Sequence, residues 1–223
     1  MCGLAGFLQV NGFGFDQACA LAAYMGERIA HRGPDDSGIW VDADACIALA
    51  HRRLAILDLS PAGHQPMVSS SGRYVIAFNG EIYNHLALRL ELVAIPFSPA
   101  LPRDAKWSTA WRGHSDTETL LAGFDAWGIE ATVKKTIGMF AFAVWDRQTR
   151  TLMLGRDRLG EKPLYYGWQG NAFLFGSELK ALKAHPAFHA EIDRNALALL
   201  MRHNYIPAPY SIYQGIAKLH PGC

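Results

Sequence analysis

The chain has 223 residues, half of them apolar and 18% charged, with 21 Lys and Arg against 20 Asp and Glu. That size and composition suit one globular domain with a substantial core. The near-neutral balance excludes the global field by which a protein gathers nucleic acid or an anionic membrane surface. No run reaches the ~18 consecutive apolar residues of a membrane span, and the amino terminus lacks the basic-then-apolar pattern of a signal peptide. The four cysteines, at positions 2, 19, 46 and 223, form neither a CxxC pair nor a metal-ligand spacing. That pattern places the chain in a reducing cytosol and assigns it no metal.

In chain order, Leu4 to Val10 is a short apolar run of strand length, closed by the turn-forming Asn11-Gly12. Asp16 to Ala30 reads as a helix with Asp16 as its N-cap. Turn chemistry follows over His31–Gly38, then strands at Ile39–Val41, Ile47–His51 and Leu54–Leu59. A Pro-, Gly- and Ser-rich loop over 60–71 leads to a strand at Tyr74–Phe78 that ends on Asn79-Gly80. Glu81 to Leu92 reads as a helix with Leu86, Leu90 and Val93 on one face, and Pro96, Pro99 and Pro102 make 94–113 irregular. Ser115-Asp116-Thr117-Glu118 is a capping box that opens a helix through Trp127, stopped by Gly128. Gly138–Trp145 is almost wholly apolar and reads as a central strand covered on both faces. Further strands fall at Leu152–Leu154, Leu164–Trp168 and Ala172–Phe175. A short helix at Glu178–Lys183 and a longer one over 193–203 precede a tail marked by Pro207, Pro209 and Pro221. Many strands with few, clustered helices give an α+β layering.

No GxSxG elbow, phosphate-binding GxxxxGKS/T or GxGxxG occurs, so phosphate chemistry has no home in these residues. Cys2 is the first candidate for chemistry. Once Met1 is removed, it carries a thiol and a free α-amine on one residue. The amine's ordinary pKa of about 7.7–8.0 leaves much of it neutral near neutral pH, so one residue supplies nucleophile and base. The competing reading is a packed thiol, because free cysteine is among the most buried residue types. Three other stretches qualify. His51-Arg52-Arg53 holds two adjacent arginines, either a solvated pair or a fork for a substrate carboxylate. Asn79-Gly80 is either a hairpin turn or a side-chain amide and a backbone N–H aimed at an oxyanion. Asp116 is either a helix-start residue or an anchor for an ammonium group.

The chain also resembles a known family. The stretches that carry the likeness are MCGLAGF at 1–7, HRGPDDSG at 31–38, HRRLAILDLSPAGHQPM at 51–67, FNGEIYNH at 78–85, HSDTETLL at 114–121, GMFAFAVWD at 138–146, GRDRLGEKPLYY at 155–166 and GSELKAL at 176–182. They are similar, in order and over almost the whole chain, to the class II glutamine amidotransferase domain, and within it to the amino-terminal half of glutamine-hydrolysing asparagine synthases. The resemblance implies an N-terminal-nucleophile hydrolase: an α+β, four-layer αββα sandwich of two antiparallel sheets. It implies Cys2 as nucleophile, with the Asn79 side chain and the Gly80 N–H as the oxyanion pair. Arg53, with Leu54 beside it, would hold the glutamine α-carboxylate, and Glu81 and Asp116 the α-ammonium. It implies a glutaminase domain over residues 1–190 and, over 191–223, a connector toward a synthetase domain supplied in cis or in trans. That second domain, with an SGGxDS loop absent from these residues, would bind ATP and Mg²⁺; these residues would need no cofactor. A cytoplasmic enzyme, with neither nucleic acid nor membrane as partner and with room for a homodimer, completes the expectation. The departure from the family is Val93–Trp111, which holds three prolines and two tryptophans where the family has a short turn and a strand. Two other readings stay open here: the same glutaminase serving a different ammonia acceptor, and a non-catalytic regulatory or interaction domain that keeps the fold.

Overall fold

The computed structural model describes residues 1–95 and 111–223, so most of the segment expected to be irregular lies outside the described residues. Two antiparallel sheets carry the fold. The first is built from β1 (Gly3–Gln9), β2 (Asp36–Asp42), β3 (Ile47–Arg53), β8 (Tyr165–Gln169), β9 (Ala172–Gly176) and β10 (Ala217–Lys218), in the order β10-β8-β9-β1-β3-β2. The second holds β4 (Met67–Val68), β5 (Tyr74–Ile82), β6 (Gly138–Asp146) and β7 (Thr151–Arg156), in the order β4-β5-β6-β7. Helices α1 (Phe15–Glu27) and α5 (Leu179–Leu182) cover the first sheet. Helices α2 (His85–Val93), α3 (Asp116–Trp127) and α4 (Ile129–Lys135) cover the second, and α6 (Arg194–His203) follows later in the chain.

Strand alternation sorts the side chains into three cores. Ala5 and Phe7 of β1 face α1, where Ala18, Ala22 and Met25 are buried. Leu4 of β1 and Leu49 of β3 face the other way, against Val75 and Ala77 of β5 and Ala141 and Ala143 of β6, and fill the space between the sheets. Ile76 and Phe78 of β5 turn outward to Leu120, Leu121 and Phe124 of α3, each such burial contributing roughly 1.5–3 kcal/mol. The layers are therefore helix, sheet, sheet, helix, the αββα sandwich that the family resemblance implied.

The same parity positions the site. Cys2 shares the inward face with Leu4, and Arg53 and His51 share it with Leu49, while Asn79 lies on the inward face of β5 with Val75 and Ala77. Cys2 comes next after the Gly3–Arg52 pair in the β1–β3 register. All four residues meet at one end of the inter-sheet layer.

Several local expectations need correction. Asn79-Gly80 does not turn the chain, because β6 pairs with β5 without a break to Ile82–Gly138. Leu54–Leu59 is not a strand. The Arg53 guanidinium bonds the carbonyls of Asp58 and Ser60 and curls this segment back on itself, leaving Ile56 and Leu59 67% and 79% exposed. The helix expected from Glu81 starts at His85, since Glu81 and Ile82 are still in β5; Leu88 and Leu92 form its buried face, and Leu86, Leu90 and Val93 are exposed. Asp16 lies inside the first turn of α1, whose N-cap is Gly14. Helix α4 and strands β4 and β10 had no expected counterpart. Beyond residue 190, α6 leads to β10, which pairs with β8, and the Gly222 N–H reaches the Asp157 carbonyl at 2.8 Å.

Candidate active site

Cys2 sits at the entrance to β1 and is held from both sides of its backbone. Its Sγ accepts the Leu54 N–H at 3.4 Å and lies 3.6 Å from the Leu54 carbonyl, to which the thiol donates. Its own carbonyl accepts from Arg32 Nε at 2.9 Å. Arg32 is fixed in turn by Glu178 at 2.8 Å, a carboxylate that also meets His31 and Lys180, each at 3.0 Å. Burial pushes the Glu178 pKa up, but hydrogen bonds from Arg32, Lys180 and His31 outweigh it and hold the group at about 2. Burial raises the Cys2 thiol above its ordinary value, against the opposing pull of the Leu54 N–H, the chain's terminal ammonium and Arg53. A protonated resting thiol needs a base at hand to become a nucleophile.

The edge of β5 supplies the opposite wall. Residues 76, 78, 80 and 82 point their backbone groups away from β6. Ile76 pairs with Met67 of β4. Phe78 has no strand neighbour on this side and is satisfied by side chains: its N–H donates to Gln65 Oε1 at 2.7 Å and its carbonyl accepts from His51 Nε2 at 2.9 Å. The Ile82 N–H donates to Asp116 Oδ2 at 2.8 Å. Gly80 is the remaining member of this row. It lines the cleft, and no side chain meets its N–H among the described residues. A Cβ here would lie 2.3 Å from the Met139 carbonyl oxygen, so the strand comes this close to β6 only with glycine. Beside it, Asn79 is 1% exposed and its Nδ2 is buried with no hydrogen-bond partner. Two adjacent donors are thus left unpaired on residues that line one cleft with the thiol, while their neighbours are satisfied. This geometry suits an oxyanion hole.

Farther along the cleft lie the charged side chains of Arg53 and Asp116. Arg53 is 8% exposed; its Nη1 donates to the Ser60 carbonyl at 3.0 Å and its Nη2 to the Asp58 carbonyl. Gly63 is bare against the guanidinium, where a Cβ would lie 2.0 Å from Nη2. The Asp58 carboxylate ties this arm to the facing one by accepting from Ser60 N and His114 N, each at 2.8 Å, and contacts with Ser60 lead the effects that lower its pKa to about 2. On the facing arm, Asp116 is 5% exposed and accepts from the Ile82 and Thr117 N–H groups, each at 2.8 Å. Burial nonetheless raises its pKa to about 6, and the nearby Glu81, also lining the cleft, adds to the shift.

The expected capping box forms by half. Ser115 Oγ accepts from Glu118 N at 3.2 Å, but the Glu118 carboxylate turns to the N–H groups of Arg112 and Gly113, at 2.8 and 3.1 Å. Arg89 completes the support by donating to Gly113 O and Ser115 O, at 3.0 and 2.9 Å, with its guanidinium 4.1 Å from the Trp111 ring centroid. Despite the unusual sequence before it, the wall carrying Asp116 is therefore braced.

All seven residues expected to form the site, Cys2, Arg53, Leu54, Asn79, Gly80, Glu81 and Asp116, line one cleft of about 120 Å³. Asp58, Gln65 and Lys162 also line it, and His51 and Arg32 support it from behind. All five lie inside stretches that carried the family likeness, yet spacing alone does not say which of them face the cleft. No group of three or more His, Cys, Asp or Glu among the described residues is placed to hold a metal ion. No helix among them is long and apolar enough to cross a membrane.

A cysteine at the end of the inter-sheet layer of an αββα sandwich, facing open amide donors, defines the N-terminal-nucleophile amidotransferase class. The fold accordingly matches the solved glutamine phosphoribosylpyrophosphate amidotransferase from B. subtilis, with a TM-score of 0.64 and 20% identity over 82% of this chain and 43% of that one. The family profile described as a glutamine amidotransferase domain matches residues 1–223, and the chain belongs to that family. Among curated relatives, a putative glutamine-hydrolysing asparagine synthetase 2 of Methanocaldococcus jannaschii is 36% identical over 98% of this chain and 42% of its own length. The glutamine-hydrolysing asparagine synthetase 3 of Bacillus subtilis is 36% identical over 99% of this chain and 34% of its own. The chain thus spans well under half the length of these relatives.

Proposed function

We propose that this domain hydrolyses glutamine to glutamate and ammonia through a thioester on Cys2. The observation that carries the reading is the unpaired Asn79 Nδ2 beside Gly80, whose N–H no side chain among the described residues meets, on residues that line one cleft with Cys2. With Met1 removed, the Cys2 amine takes the thiol proton and Sγ attacks the side-chain carboxamide carbon. The carbonyl oxygen becomes an oxyanion held by Asn79 and Gly80. As the C–N bond breaks, the ammonium on Cys2 returns the proton to nitrogen and ammonia leaves. Water, deprotonated by the same amine, then attacks the thioester, and glutamate departs as Sγ regains a proton. Arg53 holds the substrate α-carboxylate, with Leu54 beside it, while Glu81 and Asp116 hold the α-ammonium.

The relatives' names support asparagine synthesis as the use of the ammonia. On that reading a synthetase half, in cis or in trans, activates the acceptor with ATP and Mg²⁺, and these residues need no cofactor. The compartment is a reducing cytosol, where Cys2 stays a free thiol, as all four cysteines are here. The test is glutamate release by the chain lacking Met1, verified by intact mass. Retained Met1, which converts the base amine to an amide, and Cys2→Ala should each abolish release. A Cys2→Ala protein as fast as its parent would sink the proposal.

A further inference from the structure

Lys162 is a cation in the cleft that the scheme above does not use. The residue is only 6% exposed, and no carboxylate of the described residues pairs with it. The one hydrogen bond of its ammonium goes to Met1 Sδ at 3.4 Å. The loop that carries it is firmly built. The Asp157 carboxylate collects the N–H groups of Leu159, Phe140, Glu161 and Lys162 at 3.0–3.3 Å. Arg156 Nε holds the Lys162 carbonyl at 2.7 Å, and Arg156 Nη2 holds that of Gly160 at 2.6 Å. Phe140 is the register partner of Gly80, so this loop is fastened to the oxyanion end of the cleft, away from the Asp58–His114 clamp.

A buried ammonium without a counter-charge is costly, and this one is held in place by a dedicated loop. Its single partner is the residue that must leave before Cys2 can work. Removal of Met1 strips that contact and creates the Cys2 α-amine in the same part of the cleft. We propose that Lys162 acts through Cys2 as a positioning residue: its cation holds the freed amine in its neutral, proton-accepting form and favours the thiolate. The inference rests on the Cys2 reading and deepens it.

Of the other charges around Cys2, Arg53 also pulls the thiol pKa down and Asp116 pushes it up, and both are kept in every variant compared below. Arg53 and Asp58 are bound into the loop after β3. Glu81 and Asp116 line the far wall, Arg32 is matched by Glu178, and His51 is buried and held neutral by burial, with its pKa lowered to about 4.

The experiment uses the Met1-free chain as parent, Lys162→Met, Lys162→Gln and Lys162→Arg, each checked by thermal melting. Alkylation of Cys2 by iodoacetamide is followed against pH and resolved from the other cysteines by peptide mass. A neighbouring cation shifts such a titration by about one unit. The two neutral variants should therefore react roughly tenfold more slowly than the parent at neutral pH and converge with it in alkali, with Lys162→Arg close to the parent. Asp116, with its pKa at about 6, titrates below the neutral-to-alkaline range in which the profiles are compared. Superimposed profiles, or a uniform slowing at every pH, would overturn the proposal. Alkylation does not depend on turnover. Shifted profiles in a protein that leaves glutamine intact would sink the glutaminase reading and keep Lys162, and turnover with unshifted profiles would do the reverse.

Discussion

Replacing Asn79 by leucine separates what the fold needs from what the chemistry needs. Leucine nearly matches the asparagine side chain in shape and removes a buried donor that has no partner in the resting protein. An unsatisfied buried polar group costs about 1–3 kcal/mol, so Asn79→Leu should leave the fold as stable as the parent or more stable by up to that amount. On the proposed reading the same Nδ2 is one of two donors for the oxyanion, and loss of one such donor costs about 2.7–4 kcal/mol of transition-state stabilisation, or 10²–10³ in kcat. The assay pairs urea unfolding with steady-state glutaminase kinetics on protein confirmed to lack Met1. Stability should hold or rise while kcat collapses and KM changes little. Two results would refute the reasoning. A clear loss of stability would mean that Nδ2 has a partner in solution, and a kcat within threefold of the parent would mean that the hole lies elsewhere.

The other predictions concern the arms that grip the substrate. Asp116, with its pKa at about 6 in the empty cleft, loses its charge as pH falls through that value. kcat/KM should therefore show an acid limb near 6, through a rising KM, that disappears in Asp116→Asn. Because this pKa is raised from 3.8, the group's contribution to folding is fully present below its ordinary value and is lost as pH rises through about 6. The parent should lose stability relative to Asp116→Asn across that window, read by paired urea titrations. Gly63→Ala places a methyl 2.0 Å from Arg53 Nη2 and must displace the guanidinium. Loss of a charged hydrogen bond of about 1.5–3 kcal/mol should lower kcat/KM roughly 10–100-fold, mostly through KM. Arg89→Met removes one of two guanidinium partners of the buried Glu118 carboxylate, at 3.5 Å, while Arg112 stays at 3.6 Å; with the bonds to Gly113 O and Ser115 O also lost, it should cost about 1.5–3 kcal/mol in urea unfolding.

Four elements were legible in the sequence: β1 and β6 as near-continuous apolar runs buried on both faces, α1 from its apolar spacing, and α3 from its Ser115 cap and Gly128 stop. Elements near the site were not, and the reason is specific in each case. Leu54–Leu59 is apolar enough for a strand, but the Arg53 guanidinium claims its carbonyls, which no periodicity reveals. Asn79-Gly80 is a turn signal by composition, but its residues have partners in β6, and pairing between strands some 60 residues apart overrides a local preference. The face of α2 was misassigned because its apolar residues fall on two sides, and only the position of α3 decides that Leu88 and Leu92 go inward. The likeness to the family named Cys2, Asn79 and Asp116 but said nothing of the Gln65 and His51 contacts that hold them in register.

Those contacts explain how one strand carries an unsatisfied pair of donors without unravelling. On the free edge of β5, Phe78 would expose both backbone groups, yet Gln65 and His51 occupy them, and Asp116 occupies the next edge donor but one, at Ile82. Only Gly80, between the two braced positions, is left open to the cleft. The strand cannot relax to satisfy Gly80 without breaking one of these bonds or its pairing with β6. The open donor is thus fixed in place before any substrate arrives, and such preorganisation gives an oxyanion hole its effect. Asp116 braces Ile82, and on the proposed reading it also anchors the substrate ammonium. On that reading a substrate ammonium keeps the Asp116 carboxylate ionised, and so keeps the brace on the strand that carries Asn79 and Gly80.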